Sequence, residues 1–453
     1  MGHQEPSLAK AIMQRTHITD IREKIGQRVT IKGFVHVLRD QKAVQFIVLR
    51  DHTGMIQIVV ERSETNGAVN DLITGLHRES AIEVTGLVVS NPTVKLGQIE
   101  IQLEAIKIVS LSEDVLPIDT SGKTESETDK RLDWRFLDLR SHENQLIFQI
   151  QTTVEWAMRD FWLANGFLEL HTPKLMGSPS EGGAELFTLD YFGQTASLAQ
   201  SPQFYKQMAM AAGMDRVFEI GPVFRADPSF TPRHATEFTG VDMEMSWIES
   251  HLDIMESEEL WLQHVIKTVR EKHGKDIKES FGVEVVEPTL PFPRITMQEA
   301  QEILVNRGHM PSGETKREDI DPQGERLLCE YAQEKYGHEF IFITDYPKDI
   351  RPFYHMRHID KPELTKSFDL LWKWMEITTG AQREHRYDVL VEQANGKGVK
   401  QETIQFYLDF FRFGCPPHGG FGFGLARLLA VMLNRKSIRD VVFLHRGPNR
   451  LVP

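Results

Sequence analysis

Apolar and polar side chains alternate in short runs near the N-terminus, the period-two signature of half-buried strands. Val29 to Val37 alternates and ends at Arg39-Asp40. Val44 to Leu49 is rich in β-branched and aromatic residues, and Met55 to Val60 follows the turn Asp51-His52-Thr53-Gly54. Asn70 to Arg78 reads as a short helix, and Ala81 to Val89 and Ile99 to Val109 as two further strands.

Five short strands with a helix between the third and fourth form the pattern of an OB barrel, an architecture that often holds oligonucleotides. Another small β-barrel without that role fits the pattern equally well. The chain divides into a lead-in over residues 1–18, expected to be poorly ordered, and the barrel over 19–111. A polar, turn-rich hinge follows over 112–140, containing Asp119-Thr120-Ser121-Gly122-Lys123, and a second domain spans 141–453. That domain opens on a long helical pattern from Glu143 to Asn165, which Gly166 stops. Strand and helix patterns then mix without regular βαβ alternation, predicting an antiparallel α+β fold.

Composition adds limits. No run of about 18 apolar residues occurs, so no transmembrane helix is expected. Met1-Gly2-His3-Gln4-Glu5 lacks the basic-then-apolar order of a signal peptide. The two cysteines, Cys329 and Cys415, suit a reducing cytoplasm and exclude a four-cysteine zinc site. A formal net charge of −13 argues against bulk electrostatic capture of nucleic acid, so an RNA partner must be held by local basic surface.

Two runs carry candidate phosphate chemistry. Phe224-Arg225-Ala226-Asp227 precedes Arg233-His234, and His418-Gly419-Gly420-Phe421-Gly422-Phe423-Gly424 leads into Leu425-Ala426-Arg427. Glycines at alternate strand positions clear one face, on which a flat ring or phosphate chain can lie. Arg427 then falls in the first turns of a helix over Leu425 to Leu433, pointing back at that face. The run is neither a dinucleotide fingerprint, because Arg427 stands where the final glycine belongs, nor a P-loop, because no Gly-Lys-Ser/Thr follows. A glycine-rich packing strand is the alternative.

Together these runs resemble motifs 2 and 3 of the class II aminoacyl-tRNA synthetases. Gly166-Phe167-Leu168-Glu169-Leu170-His171-Thr172-Pro173 resembles motif 1, which implies a homodimer. Ser180 to Phe187, Ser201 to Gln207 and Gly380-Ala381-Gln382-Arg383 resemble the aspartyl enzymes of archaeal and eukaryotic type. The five-strand region matches that family's anticodon-binding OB domain. The resemblance implies activation of L-aspartate with ATP and Mg²⁺ and loading of tRNA. In that chemistry a carboxylate attacks a phosphate, so positioning and charge stabilisation do the work.

Residue by residue, the resemblance puts Arg225 at the α-phosphate and Arg427 on the γ-phosphate side, as the catalytic pair. Arg233 and His234 fall near the outer phosphates, Phe238 stacks on adenine, and Asp227 and Gly424 complete the ATP site. Asp369 and Glu376 match carboxylates that hold Mg²⁺; seven residues apart, they could equally share an exposed acidic helix face. Lys206 and Arg383 match the cations that select the aspartate side chain. Glu181, Gln203 and Asp242 surround its α-amino group, and Thr379 stands where serine is usual. A solvated surface lysine is the plain alternative for Lys206. The asparaginyl enzymes share the three class motifs but lack a lysine like Lys206. In the barrel, His36, Arg39, Phe46, Gln57 and Lys95 match anticodon contacts, although Phe46 could also be barrel core.

The sequence also departs from the family. Asp227 replaces a glutamate, Ala426 replaces the glutamate before the motif 3 arginine, and Leu444-His445-Arg446-Gly447 replaces Phe-Pro-Arg-Asp. These departures keep three alternatives open: an asparagine-activating enzyme, a divergent synthetase paralogue, and a non-catalytic tRNA binder. In this family a histidine at the place of His36 goes with enzymes that also charge asparagine tRNA, whereas Lys95 resembles strict ones.

Overall fold

The structure, a computed structural model, describes residues 15–122, 124, 126–178, 185–309 and 319–453. The chain separates into two compact units, Met1–Gln145 and Leu146–Pro453.

The first unit is built on a closed barrel of β1 (Arg28–Asp40), β2 (Val44–Asp51), β3 (Gly54–Glu61), β4 (Ala81–Ser90) and β5 (Ile99–Ser110), joined in the order β1-β2-β3-β5-β4. Alternation sends Val29, Ile31 and Val35 of β1, Ile47 and Leu49 of β2 and Ile56, Ile58 and Val60 of β3 into one apolar core. The intervening helix is Gly67–Thr74, not Asn70 to Arg78. Its cap is Gly75, whose N–H bonds back to Asp71 and Ile73. Ile18 and Ile21, on a short 3₁₀ helix over Ile18–Lys24, join the barrel core.

The second unit contains β6 (Leu168–Glu169), β7 (Leu175–Met176), β8 (Thr188–Tyr191), β9 (Gln194–Leu198), β10 (Arg216–Phe224) and β11 (Glu237–Ser246). Further along come β12 (Arg294–Thr296), β13 (Phe340–Thr344), β14 (Ser367–Trp372), β15 (Met375–Arg383) and β16 (His418–Gly424). Eight of these form one sheet in the order β12-β13-β14-β15-β16-β11-β10-β6, antiparallel except for the outer pairs β12/β13 and β10/β6. β7, β9 and β8 form a small separate sheet.

One face of the large sheet is the main core. Phe218, Val241, Met243, Phe368, Phe421 and Phe423 pack there with residues of the helices His142–Ala164 and His251–Phe281. The long helix His251–Phe281 starts at a capping box made by Ser250 and Asp253 and stops at Gly282 in the left-handed region. The opposite face carries the candidate site, flanked at one end by the helices Gln203–Ala211, Tyr387–Gly396 and Gln401–Arg412. At the other end lie Met297–Asn306 and Pro322–Tyr336.

Candidate active site

The glycine strand β16 lies between β11 and β15, with Gly420 opposite Glu244 and Ala381, and Gly422 opposite Asp242 and Thr379. Phe421 and Phe423 turn into the core, so the alternating glycines face outward beside the carboxylates of β11. This is the cleared face expected from the sequence, and the space is used. A Cβ at Gly420 would stand 2.0 Å from the Met243 carbonyl oxygen and 2.4 Å from Glu244 Oε2. Gly420→Ala is therefore expected to cost about 1–3 kcal/mol of stability through overpacking and to displace the Glu244 carboxylate. Urea denaturation checks the first effect and a crystal structure of the variant checks the second.

Four charged side chains meet over that face. Lys206, on the helix Gln203–Ala211, is 3 % exposed, so it is no solvated surface lysine. Its Nζ donates to Asp242 Oδ1 and the Phe421 carbonyl, each at 3.0 Å, and lies 3.3 Å from Glu244 Oε2. Arg383 Nε donates to Glu244 Oε1 at 3.0 Å and Nη2 to the Gly420 carbonyl at 3.0 Å. Burial would raise the Glu244 carboxyl, but Arg383 and then Lys206 outweigh it and hold it below its usual range. Burial does prevail at Asp242, whose carboxyl is raised despite Lys206.

A neutral layer orients these charges. Arg383 Nη1 donates to His355 Nε2 at 3.0 Å; burial, then Arg383, pushes this imidazole far below its usual range. His418 Nδ1 lies 2.8 Å from the Pro416 carbonyl and so must donate, which leaves Nε2 to accept from Gln207 at 2.9 Å. Gln207 Oε1 in turn accepts from Tyr407 and Gln203. Burial takes His418 down to about 4. Sequence reasoning missed Glu244, Gln207, His355 and Tyr407. Only Glu244 left a signal, two residues beyond Asp242 and so on the same face of the strand.

The phosphate-binding candidates gather at the other end of the same face. The Arg225 guanidinium lies 5.5 Å from the Phe238 ring centroid and makes no side-chain hydrogen bond among the described residues. Arg427 Nη1 donates to the Glu376 carbonyl at 3.0 Å and to its Oε1 at 3.2 Å. Arg233 is held by Glu325, at 2.6 Å and 2.9 Å. Burial raises the Glu325 carboxyl to about 7 in spite of Arg233. His234 bonds to Thr231 and Ser229 within its own loop. Burial, then Arg427, lowers its pKa, which favours the neutral ring.

Asp369 and Glu376 do not share a helix. They lie on the adjacent strands β14 and β15, where a register shift between Leu370 and Leu371 marks a bulge. The extra residue turns Glu376 to the same side as Thr379, which donates to Glu376 Oε1 at 3.3 Å. Arg351 donates to Asp369 Oδ2 at 2.6 Å, while the buried Asp369 Oδ1 has no hydrogen-bond partner. Burial, with Glu376 adding to it, raises the Asp369 carboxyl. An orphaned oxygen beside a second carboxylate fits a divalent cation shared with phosphate oxygens. Glu181 lies outside the described residues.

Two of the sequence departures, Ala426 and Leu444, line a cavity of about 400 Å³ together with Phe148, Phe238, Phe443 and Arg446. Ala426 and Leu444 remove bulk and charge there while leaving the glycine face intact.

On the barrel, Phe46 is half-buried and outside the core, opposite Arg39 and Val59, so it is not barrel core. Gln57 donates to Glu100 at 2.8 Å. His36 sits at the β1 bulge between Val35 and Val37, where Arg50 Nη1 donates to its Nδ1 at 3.2 Å. Burial, then Arg50, lowers the His36 pKa, so the ring is neutral with its proton on Nε2. Lys95 is exposed on the loop between β4 and β5.

An eight-stranded, largely antiparallel sheet with a glycine strand, two candidate phosphate arginines and a separate OB barrel defines the class II synthetase architecture. The comparisons agree. Residues 127–446 match the family of tRNA synthetases class II (D, K and N), and residues 29–109 match the OB-fold nucleic acid binding domain. The chain is similar to an "Aspartate--tRNA(Asp) ligase" of Pyrococcus abyssi, 45 % identical over 97 % of this chain and 100 % of that one. It is also similar to an "Aspartate--tRNA(Asp/Asn) ligase" of Methanopyrus kandleri, 43 % identical over 95 % of this chain and 97 % of the other. Among solved structures it resembles the asparaginyl-tRNA synthetase of Pyrococcus horikoshii, with a TM-score of 0.88, 30 % identity and coverage of 98 % and 100 %. The aspartyl-tRNA synthetase of Entamoeba histolytica gives a TM-score of 0.85 at 32 % identity, covering 100 % of this chain and 95 % of that one. The chain belongs to the class II tRNA synthetase family.

Proposed function

We propose that this protein is an aspartate--tRNA ligase. It activates L-aspartate with ATP to aspartyl-adenylate and transfers the aspartyl group to the 3′ end of tRNA. The observation that carries the amino acid is the buried pair of cations, Lys206 and Arg383, over the glycine face. In the structure their donors are taken by Asp242 and Glu244. The side-chain carboxylate of bound aspartate takes its place among those donors, and its ammonium group is accepted by Asp242 and Gln203. Asparagine would bring a neutral amide whose NH₂ meets the Lys206 and Arg383 donors donor to donor, so it forfeits the charge-assisted hydrogen bonds that the aspartate carboxylate makes.

In the first step an α-carboxylate oxygen of aspartate forms a bond to the α-phosphorus. The bond from that phosphorus to the bridging oxygen breaks, and pyrophosphate leaves. Arg225 neutralises the α-phosphate oxygens, with adenine stacked on Phe238, and Arg427, Arg233 and His234 face the outer phosphates. Asp369 and Glu376 would hold Mg²⁺, which would supply positive charge against the phosphate oxygens. In the second step a terminal tRNA hydroxyl oxygen bonds to the adenylate carbonyl carbon, the bond from that carbon to the phosphate oxygen breaks, and AMP leaves as the hydroxyl proton passes to its phosphate.

On the barrel, Phe46 stacks on a splayed anticodon base beside Arg39 and Gln57. The Nε2–H of His36 offers a single donor to the third anticodon base. Both pyrimidines carry acceptors there, so this donor does not separate aspartate tRNA from asparagine tRNA; Lys95 lies on the loop beyond. We further propose a homodimer. Trp156, Leu163 and Leu168 lie exposed on the helix His142–Ala164 and on the edge strand β6, supporting a covered apolar face. Free thiols at Cys329 and Cys415 support a cytoplasmic location. No helix among the described residues is long and apolar enough to cross a membrane.

The test is exchange of labelled pyrophosphate into ATP, with aspartate or asparagine, followed by charging of purified aspartate and asparagine tRNAs. Aspartate-dependent exchange and charging of both tRNAs are expected. Exchange with asparagine alone, or tRNA binding without exchange, refutes the assignment.

A further inference from the structure

Glu325 ties the nucleotide end of the site together, although it belongs to neither signature run. It lies in the first turn of the helix Pro322–Tyr336, whose N-terminus is capped by Asp321. It is 5 % exposed. Both of its carboxylate oxygens take the same nitrogen, Arg233 Nη2, at 2.9 Å and 2.6 Å. Oε2 also accepts the backbone N–H of Glu376 at 2.8 Å. One carboxylate thus joins three segments: its own helix, the loop between β10 and β11 that carries Arg233, and β15, whose Glu376 receives Arg427.

The pairing leaves most of the guanidinium unused. A guanidinium presents five N–H donors in one plane. Only Nη2 of Arg233 is engaged by Glu325, and its Nε is buried without a hydrogen-bond partner. Held at Nη2, the guanidinium is restrained, and Nη1, without a hydrogen bond among the described residues, is left for an anion. A surface arginine on a loop would have to be ordered by each incoming phosphate chain, at a cost in side-chain entropy.

We propose that Glu325 is a positioning residue for ATP: it grips Arg233 by Nη2 so that Nη1 faces the outer phosphates. The proposal rests on the reading above, in which Arg233 meets those phosphates.

Glu325→Gln keeps an acceptor for the Glu376 N–H and removes the charge that holds Arg233. In the full-length protein, pyrophosphate exchange is measured with ATP varied at saturating aspartate, and ATP affinity separately by calorimetry. Glu325→Gln is expected to raise the KM and the Kd for ATP about tenfold, leaving the KM for aspartate unchanged. Arg233→Ala should act alike, and the double variant should lose no more than Arg233→Ala alone. Additive losses overturn the proposal, as does an equal rise in both KM values with a lowered Tm, the pattern of a merely structural role. Tighter ATP binding also overturns it, because Glu325 would then compete with the phosphates for Arg233. The calorimetric arm stands without turnover. A wild-type chain that binds ATP but exchanges no pyrophosphate therefore refutes the functional reading, and the binding cycle still decides the role of Glu325.

Discussion

Replacement of Arg225 by alanine is expected to lower aspartate-dependent pyrophosphate exchange by roughly a hundredfold or more, about 3 kcal/mol in activation free energy. The reason is geometric. Arg225 stands at the end of β10 beside Phe238, with its backbone N–H fixed to the Thr236 carbonyl at 2.9 Å. Its guanidinium has no carboxylate partner among the described residues, so it need not be released from one before meeting phosphate. Charge on the α-phosphate oxygens grows as the new bond forms, and a donor already in place stabilises that growth without reorganisation. The loss should fall on kcat more than on the KM for ATP, because Arg427, Arg233 and the Phe238 stack still bind the ground state. Little exposed surface is lost and no core contact, so the Tm should hardly move. Near wild-type exchange would show that Arg225 does not touch the reacting phosphate.

Lys206→Met is the second substitution with a large expected effect, and it acts in two ways. Lys206 stands between Asp242 and Glu244, all three nearly inaccessible. With the ammonium gone, Glu244 keeps Arg383, while the buried Asp242 loses the one cation paired with it among the described residues. Breaking a buried pair in this way costs about 3–5 kcal/mol. Both carboxyls should then titrate higher, and Asp242, raised by burial already, would take up a proton first. Urea denaturation measures the loss, which should shrink as the pH falls and that carboxyl is neutralised. The second effect is on selection. The aspartate side chain loses one of its two cationic partners, so the preference for aspartate over asparagine should collapse while the KM for ATP holds. An unchanged aspartate preference in a folded Lys206→Met protein would remove Lys206 from the amino acid site.

Some of this architecture can be read directly from the chain. The alternating runs of β1 to β5 are local, and their inward residues are the ones that form the barrel core. The glycine strand is equally local. Removing every second side chain has one structural consequence, a bare face, wherever the strand ends up. Other features could not be read this way. The helix beyond β3 lies earlier than its apolar positions imply, because Gly75 closes it. Asp369 and Glu376 look like neighbours on a helix because seven residues is also two helical turns; a hairpin with a bulge gives them the same proximity. Glu325 has no local signature at all. Its partners, Arg233 and Glu376, lie 92 and 51 residues away in opposite directions.

The relatives make the same division. Asparaginyl and aspartyl structures overlay this chain about equally well, so the fold does not separate the two amino acids. By itself the sequence determined the α+β class, the barrel and the glycine face, because each depends on a local period, while Arg225, Arg427, Lys206 and Arg383 are singled out by the resemblance of their motifs. The tertiary structure alone decided how those charges are balanced. Glu244 bridges Lys206 and Arg383, Glu325 grips Arg233, and a bulge turns Glu376 toward Arg427. Electrostatic energy depends on distance and burial, and strands far apart in the chain set both only once they pair.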